Sequence, residues 1–447
     1  MPSPPLHLQP LVAAAQATKI RLALLATALC DALGGPAEFQ ERFSFDFISH
    51  MEPNENFALP AGVWTDDTSM ALALARSIAT FEDLDDSGAA GEKRKGGFDE
   101  ADQLDAYYRW WQDGALSATG HCFDIGNTIQ RALTLYGAAL AAGGQTQGKS
   151  ALRRIGDVLS RSSGAEQAKE REGRRAAAAV ALARIGRDLK GAVFGGNGSL
   201  MRILPVGLAY WRDAGAAGEY AIRSSATTHP NPVCGEACAV WVGCIACVLQ
   251  NASAAGARRL TKLDVLHHFA AYPYAGDALK KALTADLALP AAVKDDPAAM
   301  EAHYRAYHPL MRLHAEALQA TSDDAGTPGD TEDALAAARI LALLPTAEAL
   351  PSSGYVVHTL TAALYAFLAT ETFADGALLV ANMGNDADTV AAVYGGLAGA
   401  WYAGEETQTD ADSLFWSPRV REWRGALVRR DVVEKVAEEL VAFAEKQ

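Results

Sequence analysis

Little in this chain points to strands, to a secreted disulfide scaffold or to nucleic acid. Aromatic residues make up 8% of the 447, and long alternating apolar–polar runs are scarce, which works against a β-rich fold. Six cysteines over this length are too few for a disulfide framework, so a reducing compartment is expected. The start, Met1-Pro-Ser-Pro-Pro-Leu-His-Leu, lacks the basic opening of a signal peptide. Apolar runs read as too short or too mixed to cross a membrane; Leu22 to Leu33 is one such run. Lys and Arg number 39 against 54 Asp and Glu, a net charge of −15 that argues against a general nucleic-acid binder. The expectation is a cytoplasmic monomer with no nucleic-acid or membrane partner.

What the chain does have is helix-forming apolar residues. Half of it is hydrophobic and alanine is abundant, which favours an α-rich fold with a large core. The polar stretches near 83–102, 141–175 and 322–333 read as loop insertions into a single domain over 18–447, with 1–17 as an N-terminal extension. Cys234, Cys238, Cys244 and Cys247 include a CxxC. They sit in a continuous apolar helix pattern, so they read as small core residues rather than metal ligands.

Two stretches stand apart. Asn385-Asp386-Ala-Asp388-Thr389 opens a helix whose Val390, Val393, Leu397 and Trp401 share one face while small residues fill the rest. Trp64-Thr65-Asp66-Asp67-Thr68 opens a second, with Met70, Leu74 and Ile78 in register. Helices this apolar belong in the middle of a protein, and buried like charges are costly unless paired or bound to a cation. Helix capping explains one such residue per helix well. It explains Asp386, Asp388 and Thr389 together less well. Hard oxygen donors without nearby His or Cys suit Mg²⁺ or Mn²⁺, and four carboxylates suit two ions about 3.5–4 Å apart.

Other motifs are weaker singly. Gly195-Gly-Asn197-Gly198-Ser199 could bring backbone N–H groups to a phosphate, although neither a strand nor a Gly-Lys-Ser/Thr accompanies it. His229 could contact a ligand or simply be a satisfied core histidine. Asp124 and Asn127 could be turn residues.

In order, Asp31-Ala-Leu-Gly-Gly-Pro-Ala-Glu38, Thr65-Asp-Asp-Thr68, Cys122-Phe-Asp124-Ile-Gly-Asn127-Thr128, Gly196-Asn-Gly-Ser-Leu-Met-Arg202, Thr228-His-Pro230 and Asp386-Ala-Asp-Thr389 resemble the ADP-ribosylglycohydrolase family. They look most like its dinitrogenase-reductase-activating glycohydrolase branch. The resemblance implies an all-α, single-domain orthogonal helical bundle with a central binuclear metal site. It implies two Mg²⁺ (or Mn²⁺) held by Thr65, Asp66, Asp67, Asp386, Asp388 and Thr389. It implies Asp124 and Glu38 as catalytic residues. Asn127, Gly196, Asn197, Gly198, Ser199, Met201, His229 and Tyr355 would bind the substrate. Cys30, Asn385 and Ala391 stand where glycine is frequent in the family. The implied activity is removal of mono-ADP-ribose from modified protein, chiefly from arginine. The alternatives are hydrolysis of serine-linked or O-acetyl-ADP-ribose, or ADP-ribose binding without catalysis.

Overall fold

The structure is a computed structural model and describes residues 4–81, 96–146, 164–253, 259–320, 331–406 and 413–447. It is built of α1 (Gln16–Gly34), α2 (Asp66–Thr80), α3 (Glu100–Asp113), α4 (Asn127–Thr146), α5 (Gly164–Asp188), α6 (Leu204–Ala209), α7 (Ala214–Ala226), α8 (Pro232–Gln250) and α9 (Lys262–Ala271). Then come α10 (Asp277–Leu283), α11 (Pro297–Tyr307), α12 (Pro309–Ala320), α13 (Glu332–Leu341), α14 (Val356–Ala369), α15 (Phe373–Ala381), α16 (Ala387–Tyr402), α17 (Pro418–Ala426) and α18 (Arg430–Ala444). Among the described residues, β-pairing is confined to isolated bridges such as Gly196 with Tyr355. The all-α expectation holds.

Ordinary side-chain caps start many of these helices. Asp99, Asp213, Asn231, Asp296, Thr331, Thr372 and Ser417 each accept a backbone N–H from their own first turn. Leu6 and His7 donate backbone N–H groups to Glu301, which ties the described N-terminal residues onto α11.

The centre is an antiparallel pair, α1 against α16. The C-terminus of α1 meets the N-terminus of α16, and Lys19 at the other end of α1 reaches the carbonyls of Ala400 and Trp401. The backbones approach closely because the facing residues are small. A Cβ on Gly395 would lie 2.5 Å from the Ala26 carbonyl oxygen, and one on Gly399 would lie 2.8 Å from Ala23 Cα. At the acidic end, a Cβ on Gly34 would lie 2.7 Å from the Ala387 carbonyl oxygen. α14, α15, α2, α8 and α18 surround the pair.

Two sequence expectations change. α1 with its continuation to Ala37, and α8, are each long and apolar enough to cross a membrane by length and composition. Both are core helices here, with 94% and 72% of the apolar window buried. The stretch 141–175 is helical wherever it is described: α4 runs to Thr146, and α5 begins at Gly164 and buries Ala177, Ala178, Ala181 and Ile185 a little further on. Residues 82–95, 147–163 and 321–330, which hold most of the expected insertions, lie outside the described residues.

The α1–α16 contact yields a stability test. Alanine exceeds glycine in helix propensity by about 1 kcal/mol. Gly395→Ala should nevertheless destabilise by about 1–3 kcal/mol in urea unfolding, because the new methyl meets backbone that cannot yield. A stabilised variant would mean the two backbones have room to spare.

Candidate active site

Thr65 and Asp386 occupy the cap positions of α2 and α16, yet neither side chain caps its helix. They turn to other partners instead. Thr65 Oγ1 donates and its backbone N–H also donates to Asp31 Oδ1, both at 2.9 Å, and Thr68 N–H donates to Asp31 Oδ2. Thr65 Oγ1 also lies 3.0 Å from Asp67 Oδ2. Thr389 Oγ1 sits 3.3 Å from both Asp67 Oδ2 and Asp386 Oδ1. The two acidic helix starts therefore converge, and α1 adds Asp31 between them.

Carboxylate oxygens of Asp31, Asp67 and Asp388 lie within 4.8 Å of one another, as do those of Glu38, Asp386 and Asp388. None of these groups forms an ion pair with Lys, Arg or His among the described residues. Buried oxygens of Asp67 (Oδ1), Asp388 (Oδ1) and Glu38 (Oε2) have no hydrogen-bond partner. The electrostatic consequence is large. Burial, then the charges of Asp388, Asp124, Asp386 and Asp66, push the Glu38 carboxyl up to about 12. Burial raises Asp31 and Asp386 to about 6 against the hydrogen bonds they accept. Asp66, Asp67 and Asp388 rise well above the ordinary range through burial and neighbouring carboxylates. Unpartnered, desolvated oxygens gathered at two helix N-termini fit hard divalent cations. The helix dipoles alone are too weak to offset so many like charges.

The cluster forms one wall of a cavity of about 690 Å³. Glu38, Asp66, Asp124, Asp386 and Asp388 line it together with Asn127, Gly196, Asn197, Gly198, Met201 and His229. The Asp124 carboxyl rises through burial and is held by hydrogen bonds to the Ile125 backbone and to Asp66. Asn197 donates to both Asp386 Oδ2 and Thr359 Oγ1, joining the polar loop to the acidic wall. The N–H groups of Gly198 and Ser199 make no hydrogen bond among the described residues, so they are available to an anion. Gly198 lets the loop pack closely, because a Cβ there would lie 2.9 Å from both His229 Cε1 and Ile129 Cδ1 and would displace one of them.

The structure separates some residues that the sequence grouped together. Thr65 and Asp67 lie behind the cavity wall, 1% exposed each. Ser199 faces the core, where its hydroxyl accepts from Ser225 at 2.8 Å; only its amide remains for a ligand. Tyr355 stands next to Gly354, which lines the cavity, and pairs with Gly196. Its ring packs against Gly195 and edge-on to His358, and its flanking peptides pair with Gly195 and Asn197. The Cys234 and Cys238 thiols are buried under the loop, with Cys234 Sγ 3.3 Å from the Gly196 carbonyl.

Other residues here were not singled out from sequence. Asp31 is one: it heads the motif ending at Glu38, but no role was assigned to it. Arg42 is another. Its buried guanidinium donates to the carbonyls of Met383, Pro345 and Leu350 and so ties down the loop before Asp386. Asn385 has φ +57°, the left-handed region where Asn is tolerated best after Gly, so its standing at a glycine position is physically consistent.

The fold is all-α and its cavity is lined by clustered carboxylates. The chain belongs to the ADP-ribosylglycohydrolase family, whose sequence profile matches residues 13–447. It is similar to the ADP-ribosylarginine hydrolase Tri1 of Pseudomonas putida (strain GB-1), 28% identical over 400 residues, 89% of this chain and 75% of that one. It is also similar to the ADP-ribosylarginine hydrolase Tri1 of Serratia proteamaculans (strain 568), 25% identical over 432 residues, 96% of this chain and 80% of that one. Among solved structures it resembles an ADP-ribosylglycohydrolase-related protein complex at 25% identity and a TM-score of 0.52, covering 96% of this chain and 99% of that chain.

The raised carboxylates set a pH signature. Above about pH 4 the unfolded chain has released protons that the folded cluster still holds, so stability falls as pH rises. Asp31 and Asp386 carry this loss through about pH 6, and Asp66, Asp67 and Asp388 extend it higher. An ion that binds the ionised cluster opposes the loss. In EDTA-treated protein, Tm should therefore drop between about pH 5.5 and about pH 8. Added Mg²⁺ or Mn²⁺ should raise Tm more at the higher pH. A response that is absent, or larger in acid, would rule out the cluster as a cation site.

Proposed function

We propose that the chain removes mono-ADP-ribose from arginine side chains by hydrolysing the N-glycosidic bond. The observation that carries this is the cavity itself, whose lining combines clustered carboxylates with a loop of free amides and a neutral histidine. The loop side suits a diphosphate. The acidic side suits a ribose and, beyond it, a cationic guanidinium. The names of the relatives support the arginine linkage.

Two Mg²⁺ or Mn²⁺ ions, held by Thr65, Asp66, Asp67, Asp386, Asp388 and Thr389 with Asp31 behind them, would supply Lewis-acid charge that neutralises the cluster and polarises the oxygens it contacts. The chain's own groups do the rest. Amides of Gly198 and Ser199 and the ring of His229 hold the diphosphate. Asn197 fixes Asp386 relative to that loop. The reaction joins a water oxygen to the anomeric carbon and breaks the carbon–nitrogen bond, whose electron pair stays with the guanidine nitrogen. Water loses a proton and that nitrogen gains one. Asp124 faces the cavity beside Asp66 and is the group placed to move that proton. Glu38 borders the same wall.

The direct test is release of ADP-ribose from arginine- and serine-modified peptides, with and without EDTA. Release from arginine that EDTA abolishes is expected. Release from serine alone would favour the O-linked reading instead.

Asp124 also bonds the backbone of its own turn, so its role can be separated by Asp124→Asn. Asparagine serves a turn equally well but cannot carry the proton. Turnover of ADP-ribosyl-arginine should fall about 10²–10⁴-fold, with ADP-ribose affinity by calorimetry little changed. Near-normal turnover would reduce Asp124 to a turn residue.

A further inference from the structure

Arg202 is fully buried, 0% exposed, and makes no ion pair among the described residues. Its guanidinium is held by neutral groups. It donates to the Gly198 carbonyl, to Thr228 Oγ1 at 2.7 Å, and at longer range to Thr227 Oγ1 and the Ser224 carbonyl. Its other face lies 4.6 Å from the Tyr107 ring centroid. A buried cation without a carboxylate is expensive, so its position calls for a reason beyond packing.

The reason lies in the next bond. Thr228 Oγ1 is 2.8 Å from His229 Nδ1. Thr228 is itself 0% exposed, and Arg202 and His229 are the partners its hydroxyl has. Arg202 can only donate, so the hydroxyl accepts there and its single proton remains for Nδ1. Were Nδ1 protonated instead, the hydroxyl proton would be buried without an acceptor, at a cost buried polar groups normally avoid. Nδ1 is thus the acceptor and the ring proton sits on Nε2. That nitrogen lies on the cavity side: it would be 3.2 Å from a Cβ at Gly198 and 3.7 Å from one at Gly196.

We propose that Arg202 and Thr228 are positioning residues that lock His229 as the Nε2–H tautomer, a fixed neutral donor aimed at the ligand's diphosphate. By holding the Gly198 carbonyl inward, Arg202 also turns the N–H of the same peptide, that of Ser199, the opposite way. One buried guanidinium thereby orients two donors on the same anion. The choice of diphosphate rests on the reading of the cavity as an ADP-ribose site; the tautomer does not.

Histidine-selective ¹⁵N spectroscopy of the full chain reads the tautomer, and calorimetry reads binding of ADP-ribose and of adenosine, which has no phosphate. In the wild type, Nδ1 of His229 should be unprotonated. Thr228→Val keeps the shape and removes the hydroxyl. It should mix the tautomers and weaken ADP-ribose about 3–10-fold, leaving adenosine unchanged. Thr228→Ser should restore both readouts. A protonated Nδ1 in the wild type, or unaltered ADP-ribose affinity in Thr228→Val, overturns the proposal. If Thr228→Val does not fold, the wild-type spectrum and Thr228→Ser still decide it. Failure of the wild type to bind ADP-ribose would overturn the functional reading and the diphosphate as partner, while the spectrum would judge the relay separately.

Discussion

Gathering several carboxylates out of water, with oxygens within 4.8 Å of one another and without a basic partner among the described residues, is the constraint on which this structure turns. Asp31, Asp67 and Asp388 meet where α1, α2 and α16 converge. That requires backbones close enough for short side chains to touch, which only small residues along the α1–α16 contact allow. It also requires donors. The backbone N–H groups of Thr65 and Thr68, the hydroxyls of Thr65 and Thr389, and the Asn197 amide supply them. These offset the repulsion only in part, since oxygens of Asp67, Asp388 and Glu38 remain unpartnered. The remainder is what a bound cation would offset.

The same logic runs along the central helix. α16 begins with carboxylates at its positive end and finishes with the Lys19 ammonium on the carbonyls of Ala400 and Trp401 at its negative end. α14 finishes similarly, with Lys262 donating to the Phe367 and Thr370 carbonyls and lying over the Phe367 ring. Burial pulls both lysines down to about 7, so each cap combines a costly charge with several acceptors. The site thus sits at one pole of a helical core whose other pole is closed by lysine.

How legible this was from sequence depended on whether the signal was local. Periodicity marked the helices, and the acidic starts of α2 and α16 marked the cluster because acids in runs of apolar residues contradict their surroundings. The absence of capping bonds at Thr65 and Asp386 agrees with that reading. Asp31 carried the same contradiction more faintly, one carboxylate in the last turn of α1. Arg42 gave no local sign and Arg202 only closed a motif, since their roles arise from acceptors brought from hundreds or tens of residues away. Ser199 and Tyr355 show the converse. Motif order named them, but the direction of each side chain is set by tertiary partners that sequence does not show, here Ser225 for one and Gly195 for the other.

The arrangement of charge in the cavity also gives a reason why the side proposed to take the diphosphate presents neutral donors. A lysine or arginine opening onto the cavity would face carboxylates of Asp386 and Asp388 across a short gap. It would pair with them, stabilise their ionised form and compete with any cation for the same oxygens. A neutral imidazole and backbone amides attract a diphosphate without doing so. Burial and then the Arg202 charge push His229 down to about 3, which keeps it neutral wherever the chain folds. The cation that the anion side does use is placed one layer down, behind the Gly198 carbonyl and the Thr228 hydroxyl, with Tyr107 over its face. From there it polarises the donors rather than bridging to the acids. The two walls can then keep opposite preferences inside a single cavity.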